Sequence, residues 1–165
     1  MTDTDTTTGA FARSASSMLR HWATDQPDAP MFTQDDRSLS WGEFYRRAVR
    51  VAEALASEGI GPGDRVAFLD RNGIEYFEVF FGCALLGAVS VAVNWRLAPL
   101  EMAGIVEDAG AVVLFYGSDY EAAVKEFTSQ VASVRLYVPL DGFAGWRDGP
   151  GRERAGRQAA PGPPP

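Results

Sequence analysis

The chain has little of what most often marks a site for chemistry. Its one cysteine, Cys83, rules out an internal disulfide, and nothing in its thiol content argues for an oxidising compartment. Cys83 lies in the apolar run Phe-Phe-Gly-Cys-Ala-Leu-Leu and reads as a packing residue rather than a reactive thiol. The one histidine, His21, stands alone in a short segment near the N-terminus. It reads as a surface or packing residue, because without a second cysteine or histidine a zinc-type site has no ligand set. Basic excess is missing as well. A net charge of -7 argues against a nucleic-acid backbone as partner. The longest apolar-rich stretch, residues 74–93, holds Glu75 and Glu78 and is interrupted by Gly82 and Gly87, whereas a membrane span needs about 20 continuous apolar residues. The threonine-rich start lacks the basic segment and apolar run of a secretory leader. The expectations are no nucleic-acid partner, no membrane span and a cytoplasmic location.

What remains is the composition of one soluble domain, with 165 residues, 46% of them hydrophobic and 22% charged. Residues 1–13 read as a disordered N-terminus. Residues 16–25 read as a short helix with Met18, Leu19 and Trp22 on one face, ended by Pro27 and Pro30. Residues 31–40 make a hairpin around the polar turn Gln34-Asp35-Asp36-Arg37. Ser40 and Glu43 have capping-box spacing and open a helix with Phe44, Ala48, Val51 and Leu55 on its inner face. Gly59 stops it, and Gly61-Pro62-Gly63-Asp64 turns into a strand at residues 65–70.

From there strands and helices alternate. Val66 to Leu69 are continuously apolar, as in a strand covered on both faces. Residues 74–86 form a helix apolar nearly all round, which reads as buried. Strands follow at 89–93, 111–116 and 134–138. Between them lie a short helix begun by Pro99 and running to Asp108, and a helix from Ser118, again with capping-box spacing to Glu121, to about Gln130. This order implies an α/β fold: a parallel sheet with flanking helices, joined by right-handed crossovers.

After Asp148 the composition changes. Residues 149–165 are dominated by Gly and Pro, with Arg152, Arg154 and Arg157 against Glu153, and they read as disordered. Three readings stand for this tail: an unstructured end, a proline-rich ligand through Pro161-Gly162-Pro163-Pro164, or translation out of frame that ends a once longer protein. The organisation expected is therefore a disordered N-terminus at 1–13, one domain at 14–146 and a Gly/Pro/Arg-rich tail at 147–165.

Several stretches together resemble one family. They are Leu39-Ser40-Trp41-Gly42-Glu43-Phe44, the turn Gly59-Ile60-Gly61-Pro62-Gly63-Asp64-Arg65-Val66-Ala67, Asn72-Gly73-Ile74-Glu75-Tyr76, Leu85-Leu86-Gly87-Ala88-Val89, and Asn94-Trp95-Arg96-Leu97 followed by Glu101. Their order and spacing are similar to the N-terminal part of the AMP-forming adenylate ligases, the acyl-CoA synthetase superfamily, over residues 16 to 146. The resemblance implies part of a layered α/β domain whose sheets later strands complete. It implies an enzyme that forms an acyl-adenylate from a carboxylic acid, fatty or other, with ATP and Mg²⁺, and passes the acyl group to coenzyme A. That chemistry needs a Gly/Ser/Thr-rich loop to cradle phosphates and a lysine to neutralise charge. Tyr116-Gly117-Ser118-Asp119 is the nearest fragment, and it lacks both the glycine repeat and the lysine. The family's adenine-binding aromatic motif, ribose-binding aspartate and catalytic lysine have no match in these residues. No catalytic, cofactor-binding or metal-ligating residue is therefore assigned to this chain.

Weaker positions are weighed beside that. Arg96, in the loop after a strand's carboxyl end, stands where open α/β sheets bind ligands, as do Asp70-Arg71-Asn72-Gly73; helix capping and loop anchoring are the preferred reading of both, with ligand binding as the alternative. Phe77, Phe80 and Phe81 read as core, with an acyl-tunnel wall as the alternative. Three functions compete: a truncated acyl-CoA synthetase inactive alone, a complete nucleotide-binding module such as a dehydrogenase fragment, and a non-catalytic partner that completes or regulates a separately encoded ligase remainder. The second lacks the G-x-G-x-x-G expected after the first parallel strand. A helix apolar all round and missing part of its cover motivates the third.

Overall fold

Residues 14–149 and 158–159 are described by the structure, a computed structural model. The calls on residues 1–13 and on Pro161 to Pro164 lie outside the described residues. Helix α1 (Ala15–Asp25) is capped by Ser14, whose hydroxyl accepts from Ser17 N at 3.1 Å. Strands β1 (Pro30–Gln34) and β2 (Arg37–Ser40) pair antiparallel. Helix α2 (Trp41–Ser57) opens on the expected capping box: Glu43 N donates to Ser40 Oγ at 3.3 Å, and Ser40 N donates to the Glu43 carboxylate at 3.0 Å.

The remaining elements are β3 (Arg65–Leu69), α3 (Ile74–Leu86), β4 (Val89–Ala92), α4 (Pro99–Asp108), β5 (Ala111–Tyr116), α5 (Glu121–Phe127), β6 (Leu136–Pro139), α6 (Phe143–Asp148) and β7 (Gln158–Ala159). One sheet takes the order β4-β3-β5-β6-β7, with β4, β3, β5 and β6 mutually parallel. The alternating pattern thus yields the expected parallel α/β sheet with flanking helices. Residues of β3 alternate between two cores, Ala67 and Leu69 on one face and Val66 and Phe68 on the other. That is why the strand has no polar side.

Two expectations change. The Ser118–Glu121 capping box does not form, because Ser118–Tyr120 is a 3₁₀ turn that places Ser118 inside the turn; α5 starts at Glu121 with no side-chain cap. At residues 158 and 159 the short strand β7 pairs antiparallel with β6. The edge of β6 offers unpaired backbone groups to any extended segment whatever its composition. Helix α3 is buried only in part. Ile74, Val79, Phe81 and Cys83 are in the core, while Tyr76, Phe77, Phe80 and Leu85 are half-buried. Among the described residues nothing covers that outer side completely. No described helix is long and apolar enough to cross a membrane.

Between α2, α3 and α6 lies a charge cluster that the sequence does not announce. Glu78 is 1% exposed, and its carboxylate accepts from Arg147 Nη1 at 2.6 Å and Arg47 Nη1 at 3.2 Å. Arg147 also reaches Asp148, which in turn meets Arg50 at 3.2 Å. The hydrogen bonds to Asp148 and Glu78 outweigh desolvation and hold the Arg147 guanidinium above its ordinary pKa. The Arg147 hydrogen bond holds Asp148 below the usual carboxylate range. Beside this cluster, Phe143 and Trp146 of α6 pack edge-on to Phe115, with ring centroids 5.8 and 5.0 Å away.

At the hairpin, partial burial works to raise the pKa of Glu75. The hydrogen bond from Arg37, the helix amide and the charges of Arg37 and Arg47 more than offset it, so the carboxyl stays below its ordinary value. Carboxylates depressed in the folded state contribute stability that is present above their unfolded pKa and lost as pH falls through the folded value. The unfolding free energy is therefore expected to hold steady from neutrality to about pH 5 and to fall below about pH 4. Arg37→Ala should make that fall shallower. Urea titrations at stepped pH check this; stability that rises on acidification would contradict it.

Candidate functional site

The connections decide where a ligand can meet the sheet. From β3 the chain passes through α3 to β4 on one side, then through α4 back across β3 to β5 on the other. Helix α3 packs in one core, and α4 and α5 pack in the opposite one. The loops leaving β3 and β5 therefore diverge to opposite faces. A crevice at the carboxyl ends of two such strands is where open α/β sheets take ligands. A cavity of about 280 Å³ lies there, lined by Asp70, Arg71, Asn72, Ser118 and Asp119 and by Gln34 of the hairpin.

Its two loops are locked together by close contact. Gly117 N donates to Leu69 O at 3.1 Å, and a Cβ at Gly117 would collide with the Asp70 carboxylate. Asp70 Oδ1 accepts from Arg71 N at 2.7 Å. The Arg71 guanidinium lies 3.6 Å from the Asp119 carboxylate and 5.2 Å from the centre of the Trp95 ring. Arg96 stacks over the same ring at 3.9 Å, and Asn94 Oδ1 accepts from Arg96 N at 3.1 Å. The three loop segments singled out in the sequence, 70–73, 94–96 and 116–119, thus meet at one end of the sheet. Gln34 was not foreseen. It accepts from Ile74 N at 3.0 Å across forty residues of sequence, and a hairpin residue carries no local signal for that contact.

Two guanidiniums on a half-buried indole can hold an anionic group that carries a planar ring. The site has no activated nucleophile. Burial pushes the Cys83 thiol up to about 12, and His21 sits in α1 with its ring edge-on to Trp22 at 4.9 Å. Phe77 packs on Phe32 and Phe81 on Phe44, at 4.8 and 5.5 Å. Among the described residues no three acidic, histidine or cysteine side chains are grouped to hold a metal ion. The residues also do not fit the phosphates of ATP. Lys125, the chain's one lysine, is on α5 and is bound by Glu121 at 2.6 Å, and Gly117 serves the approach of Asp70. No catalytic step is derived through ATP or Mg²⁺.

A family model described as AMP-binding enzyme matches residues 19–164. The fatty acid–[acyl-carrier-protein] ligase ScoC of Streptomyces coeruleorubidus is 36% identical over 126 residues, which is 76% of this chain and 24% of that protein. The long-chain-fatty-acid–CoA ligase FadD13 of Mycobacterium tuberculosis H37Rv is 36% identical over 132 residues, 77% of this chain and 26% of that protein. The solved N-terminal domain of FACL13 from Mycobacterium tuberculosis superposes with a TM-score of 0.80 at 29% identity, covering 89% of this chain and 39% of that one. The chain spans about a quarter of the length of these curated relatives. Sequence and fold agree: the chain belongs to the AMP-binding enzyme family, the AMP-forming acyl-CoA and acyl-carrier-protein ligases, and corresponds to their N-terminal part.

Proposed function

We propose that this chain supplies the first part of the N-terminal domain of a ligase that activates a carboxylic acid with ATP and Mg²⁺ and delivers the acyl group to coenzyme A in the cytoplasm. A fatty acid is the substrate class named for the relatives ScoC and FadD13. The observation that carries the reading is a family match over residues 19–164, within which neither a phosphate-cradling loop nor a free lysine occurs. The 165-residue polypeptide is accordingly a scaffold without adenylation chemistry of its own. Its sheet-end cluster of Arg71, Trp95 and Arg96 contributes a surface for a planar anionic group. Purified chain should show no acid-dependent ATP–pyrophosphate exchange above blank with acids from acetate to palmitate. Measurable exchange would overturn the assignment of a silent scaffold.

A second reading, a non-catalytic partner of a separately encoded ligase remainder, is favoured by the half-covered side of α3 with Phe77 and Phe80. Co-purification of such a remainder from the native host supports it. Recovery of the chain only alone or degraded counts against it.

A further inference from the structure

We draw no further inference here: the strongest candidate, the half-covered apolar side of α3 with Tyr76, Phe77 and Phe80 beside the open rim of β4, carries none because nothing in the structure shows what covers it.

Discussion

Arg147→Ala is expected to cost about 3 kcal/mol of folding stability, the low end of the range for removing one partner of a buried ion pair. The loss comes from what stays behind. Glu78 is 1% exposed, and without the Arg147 contact at 2.6 Å its carboxylate keeps only Arg47, at 3.2 Å and partly in solvent. Helix α6 then loses its tether, and Phe143 and Trp146 lose the element that holds them against Phe115. Urea unfolding followed by tryptophan fluorescence reads this directly. Paired replacement by Glu78→Leu and Arg147→Met should recover most of the loss, since an apolar pair of similar size replaces a buried ion pair at little cost. A single-variant loss below about 1 kcal/mol, the scale of an exposed pair, would mean that solvent reaches the cluster.

Gly82→Ala is expected to destabilise by about 1–3 kcal/mol, although alanine is the better helix former by about 1 kcal/mol. Helices α2 and α3 cross so closely here that an added Cβ would stand 2.8 Å from Val51 Cβ and 3.3 Å from the Ala48 carbonyl oxygen. Val51 is fully buried, so its branch point cannot swing aside. Combining Gly82→Ala with Val51→Ala should cost less than the sum of the two single changes, because both act on one contact. Thermal and urea melts of the four chains give that coupling. A neutral or stabilising Gly82→Ala would contradict the close approach.

These two sites also mark where the sequence stops being legible. The bounds of α3 and α4 and of strand β5 follow from local signals: Gly73 and Gly87 around an apolar run, Pro99 at a first turn, and six unbroken apolar residues from Ala111 to Tyr116. The Ser40 box is legible because both of its hydrogen bonds are made within four residues. The Ser118 box had the same spacing and did not form, since spacing alone does not distinguish a residue before a helix from one inside a 3₁₀ turn. Glu78 read only as a bar to membrane insertion. Its partner Arg147 is sixty-nine residues away, and no periodicity couples the two. In the site, the position of each loop at a strand's carboxyl end was legible, but the stacking of Arg71 and Arg96 on one indole depends on the β4-β3-β5 order that brings the loops together.

Our proposal makes these residues the N-terminal part of an acid-activating ligase whose phosphate-binding loop is encoded elsewhere. It is tested most directly by resequencing the coding DNA from the Gly145 codon onward and translating its three forward frames. One frame is expected to continue into a Ser/Thr/Gly-rich loop ending in lysine. No such loop in any frame would contradict it and would leave the chain as a binding partner rather than the start of an enzyme.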